Sequence, residues 1–534
     1  MRLAPACLLA SAALALAASD TAKAPAGAQD EIERLKAQVR AQQEEIEELR
    51  QRLDAQQKLL EGLLPPAQAL AAPPASSQAA FSPPYWAPAL QDSAPVKAPL
   101  SFELGGVTIT PTGFINFAQV WRSKAVTSRL LTNFAAIPFN NTVLGHRRQT
   151  LSSAQNTRLG LLLNTRVIGW NVLGLVEGDF NGYVPNNVAT TSNPYGFRLR
   201  LAFADLSRNR WEFLAGQNWS LLTPARGISP LPETLFLTQD LDPNLQSGLV
   251  WARNPQVRIV YHASSSVAIG VSLESGDTYA GGSAGAGTIT LPSALQPNYF
   301  GQVDTSTENG NSVPNPNLDW IGKIAFDPKE ARSLHLELVG LLSHYAFYNP
   351  LNNRNFSITG WGVALNTLVQ ATPRLTLITA NYYNNGGGDY IFGEAPDLII
   401  QATGAPSLVP SGSTVDGLEY NPTKWSFWAS YGGTWIGQIS TFDPVTLERV
   451  GYGYPGSPNS QNRTIQEVTA GFHRTFWSNP NYGSFRGAIF VDRAASMVCG
   501  SGGTGKRQSQ HGLPWLSLYA ARRAGSEVIR SPKN

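Results

Sequence analysis

The chain has 534 residues with 40 Lys+Arg against 37 Asp+Glu, and its charged fraction of 14% is well below the roughly 25% of ordinary soluble domains. It carries 49 Gly, 37 Pro and 10% aromatic residues without being strongly apolar. No apolar run reaches the roughly 18 residues of a membrane helix, which excludes a helical multispanning protein. Two cysteines, Cys7 and Cys499, exclude a disulfide framework and a cysteine-rich metal site.

In chain order, residues 1–28 have the pattern of a secretory signal peptide. Met1-Arg2 is followed by the apolar stretch Leu3–Ala18 and then by small residues between Ala17 and Ala28 where cleavage is expected. Cys7 lies inside the apolar stretch, so a lipid anchor is not expected.

Residues 30–64 follow a seven-residue repeat. Ile32, Val39, Ile46, Leu53 and Leu60 occupy one core position and Leu35, Gln42, Leu49, Gln56 and Leu63 the other. Five such heptads predict a coiled coil, and a helix with this stripe needs other copies to bury it. The alternative is one amphipathic helix packed on its own domain. The Pro/Ala-rich stretch 65–99 argues against that alternative, because it reads as a semi-rigid spacer. A homotrimer is the expected assembly.

After Leu100 the period changes to two. Val267, Ile269, Val271 and Leu273 alternate with Ala268, Gly270, Ser272 and Glu274, and about fourteen such segments recur between 100 and 493, many of the length a tilted membrane strand needs. Short turns (Phe326–Arg332, Ala371–Arg374, Ser478–Asn481) alternate with long connections (Gly276–Asn317, Tyr383–Pro422). A soluble sandwich alternates too, but this rhythm of turns suits an outer-membrane barrel, with Trp170, Trp211, Trp320 and Trp477 as interface residues. The predicted fold class is therefore an all-β transmembrane barrel, antiparallel, of about 14–16 strands, behind a short α-helical coiled coil.

The face opposite the apolar one carries Arg158, Glu177, Asp179, Arg198, Arg200 and Arg258. Against lipid each Arg would cost about 2–4 kcal/mol near the midplane, so these residues are expected to line a pore. There they either select anions or merely pair with carboxylates. The stretch between Trp219 and Arg253, with Arg226, Glu233, Asp240 and Asp242, is expected to fold inward as a constriction, or else to lie on the surface as an ordinary loop.

Several stretches bear a family resemblance: NTRLGLLL (Asn156–Leu163), EGDF (Glu177–Phe180), GQNWS (Gly216–Ser220), PETLF (Pro232–Phe236), RNPQVRIVY (Arg253–Tyr261) and FHRTFWSNPNYGSF (Phe472–Phe485). In this order, behind a coiled coil and linker, they resemble the DcaP-like outer-membrane porins of Gram-negative bacteria. The resemblance implies a trimeric channel, with the coiled coil in the periplasm and the founding type associated with dicarboxylate uptake. It implies outer-membrane lipid and small hydrophilic solutes as partners, no nucleic acid and no cofactor.

The end of the chain departs from that pattern. Alternation fades after about Val491, and residues 494–534, ending VIRSPKN, read as a basic tail left by a change of reading frame near Ile489–Arg493. This tail has 6 Lys+Arg against 1 Asp+Glu, residues 1–64 have 8 against 10, and 65–493 have 26 against 26. The barrel is thus charge-balanced, and any anion preference must come from where its arginines sit.

Gly500–Lys506 resembles a phosphate loop but continues with Arg507, outside any strand–helix context. The six His show no metal spacing, and no Ser–His–acid trio stands out. No enzyme activity is expected. The alternative to a porin is a trimeric adhesin with a coiled-coil stalk and a barrel anchor, although such proteins contribute few strands per chain.

Overall fold

The structure is a computed structural model that describes residues 100–519, except 126–133, 139, 141, 183–195, 226–245, 282–287, 300, 305–312, 329–333, 458–460, 480–482 and 498–505. The expected signal peptide (1–28), coiled coil (30–64) and linker (65–99) lie outside the described residues.

Among the described residues there are sixteen long strands: β1 Val107–Arg122, β2 Arg158–Val167, β3 Trp170–Gly182, β4 Gly196–Arg208, β5 Trp211–Trp219, β6 Arg253–His262, β7 Val267–Glu274 and β8 Asp319–Phe326, then β9 Leu334–Asn349, β10 Arg354–Thr372, β11 Leu375–Asn385, β12 Pro410–Tyr420, β13 Trp425–Ile436, β14 Thr464–Asn479, β15 Gly483–Met497 and β16 Lys506–Tyr519. Among the described residues helix is nearly absent, the α-helical piece there being the single turn Gln296–Tyr299. Among the described residues no helix is long and apolar enough to cross a membrane, which says nothing about strands.

Each strand pairs antiparallel with the next. One half of β1 pairs with β2, from Thr108↔Asn164 to Phe114↔Arg158. The other half pairs with β16, from Ile115↔Leu518 to Arg122↔His511. The short strand Gln149–Ser153 also lies against β1.

Period-two alternation builds this sheet because successive side chains leave a strand on opposite faces. In β7 the Val267, Ile269, Val271, Leu273 set lies on the outer face and the Ala268, Ser272, Glu274 set is buried inside. β9 repeats the pattern, with Leu338 and Leu342 exposed and His335, Glu337, Val339, Leu341 and Ser343 buried. Leu, Ile and Val make up much of the outer surface, and Trp211, Trp320 and Trp477 lie exposed near strand ends. The β2–β3 connection is two residues, Ile168 and Gly169, both with positive φ, the twist a tight hairpin requires.

The interior is filled by segments of the long connections. One apolar cluster joins Leu221, Leu222 and Val250 from the β5–β6 connection, Tyr279, Ile289, Leu291 and Tyr299 from the β7–β8 connection, and Tyr390, Ile391 and Leu398–Ile400 from the β11–β12 connection to inner-face residues such as Val260, Ile321, Leu341, Tyr345 and Tyr382.

Two expectations change. Tyr383–Pro422, read as one long loop, contains β12 and a small hairpin, Leu398–Ile400 with Pro406–Leu408. β12 escapes the alternation rule because its outer face is Gly412, Thr414, Asp416, Leu418 and Tyr420, mostly not apolar. Strand pairing also runs beyond the limit expected at 493: β15 reaches Met497, and β16, within the segment read as a basic tail, pairs with both β15 and β1. Those two strands complete the sixteen within this chain.

Candidate functional site

Two features meet on the inner face of the sheet: a cluster of arginines on β2 to β6, and the ends of the connection between β5 and β6.

The cluster is built around two carboxylates on β3. Asp179 is buried and accepts from Arg198 (Nε–Oδ1 2.8 Å, Nη2–Oδ2 3.1 Å) and from Arg200 (Nη1–Oδ2 2.6 Å). Glu177 faces Arg158 and Arg200, each with Nε at 3.5 Å from Oε1. Arg198 and Arg200 reach the same carboxylate because the β3–β4 ladder slips by one residue opposite Glu177 and Gly178. This bulge leaves Arg200 as the extra residue and buries it beside Leu201, which is how bulges re-aim side chains.

Arg253, at the start of β6, adds a fourth guanidinium within electrostatic reach of Arg200, Arg198 and Arg158. Its Nη1 has no hydrogen-bond partner among the described residues, nor do Nε and Nη2 of Arg200. Trp219 lies 4.9 Å from Arg253 and 5.9 Å from Arg200, and its ring centroid is 3.7 Å from that of Trp251. Four cations thus face two carboxylates beside an aromatic wall. The side chains of Arg158 and Arg198 keep 23% and 32% of their surface exposed, so the surplus charge is accessible.

The second feature is the described part of the expected constriction, residues 220–225 and 246–252. Its first end is tied down near its own strands. Leu221 N donates to Glu274 and Ala225 N to Glu337, while Arg258 donates to the Trp219 carbonyl at 2.6 Å and to Gln256. Glu337 in turn holds buried Lys323 at 3.0 Å, Asn366 at 2.9 Å and His335 at 3.3 Å, and His335 also meets Asp327 at 3.0 Å.

The returning end sits on strands eight places away in the order. Ser247 N donates to Glu467 of β14 at 2.6 Å, and Ser430 of β13 donates to Gln246 at 2.9 Å. Glu394, in the β11–β12 connection, accepts from Gly248 N and Ser247 Oγ, both at 3.1 Å, and from Thr434 of β13. Gly248 has φ +77°, and a Cβ there would stand 2.6 Å from the Gly433 carbonyl and 2.8 Å from that of Thr414, so only glycine seats against this wall. Residues 246–252, continuous with β6 and anchored on β13 and β14, therefore reach across the inner side of the sheet.

Burial pushes the Glu394 carboxyl up to about 7, against the hydrogen bonds from Thr434, Gly248 and Ser247 that favour its charged form. In the same connection burial also raises Asp397 to about 7.

The inner face therefore brings together Arg158, Glu177, Asp179, Arg198 and Arg200, as the alternation indicates. Arg258 also points inward, but it is buried and committed to the Trp219 carbonyl. Arg226, Glu233, Asp240 and Asp242 lie outside the described residues. Sequence reasoning missed Arg253, Trp219 and Trp251 as a unit, because they flank a long connection where the period-two count is lost. Glu394 and Glu467 also carried no local signal, since their partners lie up to 221 residues away. Among the described residues no group of three or more His, Cys, Asp or Glu is arranged to hold a metal ion.

No family model matches the chain, and no curated protein matches it in sequence. Solved structures do. The outer-membrane channel DcaP of Acinetobacter baumannii aligns with a TM-score of 0.56 and 18% identity, over 78% of this chain and 99% of that one. OmpT of Vibrio cholerae, expressed in the outer membrane, aligns at 0.41 with 10% identity over 78% and 99%, and OmpF of Salmonella typhi at 0.42 with 9% identity over 78% and 100%. The chain shares the DcaP channel's fold.

Proposed function

We propose that this chain, which has the fold of an outer-membrane channel, is itself a porin: a closed sixteen-stranded barrel in the outer membrane of a Gram-negative bacterium, passing small hydrophilic solutes by passive diffusion. The pairing of β1 with β16 supports closure, because a closed sheet leaves no backbone edge unsatisfied in lipid. The outer face of Leu, Ile, Val and Trp supports insertion.

The observation that carries a preference for anions is the surplus of Arg158, Arg198, Arg200 and Arg253 over Glu177 and Asp179. An anion entering this cluster would exchange part of its hydration for guanidinium donors, with the Trp219–Trp251 pair as an apolar wall for an organic acid such as a dicarboxylate. The segment 246–252, held by Glu467 and Glu394, would narrow the path beside it. On this reading the protein acts as a conduit rather than an enzyme. The heptads of 30–64 would join three copies on the periplasmic side.

Single-channel recording of the purified chain in a planar bilayer tests the reading. Discrete conductance steps are expected; folded, inserted protein that passes no current would refute it.

A further inference from the structure

Accepting the porin reading, the short connections lie at the periplasmic end of the barrel, where rows of aromatic side chains mark the level of the lipid headgroups. At that end the outer faces of β12, β13 and β14 carry a plate of Tyr420, Trp425, Phe427, Phe472 and Phe476. Tyr420 pairs with Phe427, and Phe427 with Phe472. The ring centroid of Trp425 stands 6.1 Å from that of Phe427 and 5.7 Å from that of Phe472.

Three cations sit on this plate or beside it. Arg474 lies over the ring of Trp425 at 5.2 Å and over that of Phe476 at 5.4 Å. Lys424, in the β12–β13 turn, and Arg374, in the β10–β11 turn, come alongside because backbone bonds join the turns. Thr475 N donates to the Lys424 carbonyl at 2.8 Å, and Asn421 N to the Arg374 carbonyl at 2.7 Å. All three residues are exposed. Among the described residues, none of their charged groups has a hydrogen bond or an ion pair. The surrounding segments 370–376, 418–428 and 470–479 hold a single carboxylate, Glu419, and it is buried between exposed Leu418 and Tyr420, on the inner face. The positive charge of this rim is therefore left without a counter-ion of its own.

We infer that Arg374, Lys424 and Arg474 form a binding site for anionic phospholipid in the leaflet facing the periplasm. A phosphodiester supplies the acceptor oxygens that these donors lack, and clustered cations at a membrane surface attract net-negative lipid. Seated on two rings, the Arg474 guanidinium keeps its planar fork of donors at headgroup level, the geometry that suits a phosphate. The aromatic plate below it receives the apolar part of the same lipid. A zwitterionic lipid fits less well, because its own ammonium group enters a field that is already positive.

Native mass spectrometry of the full chain, released from detergent holding equal amounts of phosphatidylglycerol and phosphatidylcholine, tests the site. The wild type is expected to retain phosphatidylglycerol several-fold over phosphatidylcholine, and R374Q/K424Q/R474Q to bring that ratio close to one. R474Q alone is expected to lower it by part of that amount. R449Q removes the same charge from a comparable seat, 5.2 Å over Phe442 in the long β13–β14 connection, and is expected to leave the ratio unchanged. A wild-type ratio close to one, a ratio that survives the triple substitution, or an equal loss in R449Q and R474Q would overturn the inference. If the triple variant does not fold, R474Q against R449Q decides. Planar-bilayer recording of the same preparation separates the two readings: a wild type that conducts without preferring either lipid overturns this inference and leaves the channel reading intact.

Discussion

The inner face has two charged walls that obey different rules. Around Glu337 every charge has a buried partner: Lys323 at 3.0 Å, His335 at 3.3 Å, Asn366 and Ala225 N at the remaining positions. Around Asp179 and Glu177 the guanidiniums are in excess, some of their N–H groups lack partners among the described residues, and two of the arginines remain partly exposed. The same residue types thus balance one another around Glu337, while around Asp179 they leave the surplus that the porin reading uses as a surface for anions. The first wall holds Ala225, near the start of the β5–β6 connection; the second lies against Trp219, which packs on Trp251 near the end of that connection.

That contrast can be broken experimentally. The largest effect is expected from Glu337→Leu, which leaves Lys323 buried without its anion and frees the Ala225 amide. Losing one partner of such a pair costs about 3–5 kcal/mol. Heat or denaturant unfolding measures it, and a loss below about 1 kcal/mol would show that the wall is not scaffold.

Glu394 ties the crossing segment to the far wall, and its raised carboxyl makes the tie sensitive to pH. A group whose value goes from 4.5 to about 7 on folding contributes most below 4.5. That contribution, on the order of 3 kcal/mol, is lost as pH rises through 7. Hydrogen exchange at the Gly248 amide is expected to speed up between pH 5 and 8, and Glu394→Gln is expected to flatten this dependence once intrinsic exchange is subtracted. Equal slopes in the two proteins would rule out the carboxyl as the cause.

Gly248→Ala probes the same contact sterically. Its positive φ and the 2.6 Å approach to the Gly433 carbonyl predict about 1–3 kcal/mol of local strain. Conductance should become larger or noisier with little change in global unfolding; an unaltered trace would remove the segment from the pathway.

The smallest effect on stability belongs to the surplus wall. Arg158→Gln with Arg198→Gln should cost under about 1 kcal/mol, since both side chains are partly solvated. A larger loss in unfolding experiments would make them scaffold as well.

How much of this was legible in the sequence follows from the same physics. β7 and β9 are plain in the alternation because one face is apolar and exposed while the other is buried. Arg158, Arg198 and Arg200 fall inward by parity alone, although the bulge that aims Arg200 at Asp179 is invisible without the pairing. β12 was hidden because the outer positions of Gly412, Thr414 and Asp416 carry no apolar signal. Arg253 and the Trp219–Trp251 pair bracket a connection of more than thirty residues, across which the count of two cannot be carried. The anchors Glu394 and Glu467 act on residues brought close only by the curl of the sheet.

The central claim is that surplus guanidiniums, rather than net charge, set what passes. The direct measurement is the reversal potential of reconstituted protein under a potassium chloride gradient, for the wild type and for Arg158→Gln/Arg198→Gln. A wild-type potential displaced toward chloride, with the displacement reduced several-fold in the variant, is the predicted result. Identical potentials in the two proteins, both showing ionic current, would contradict it.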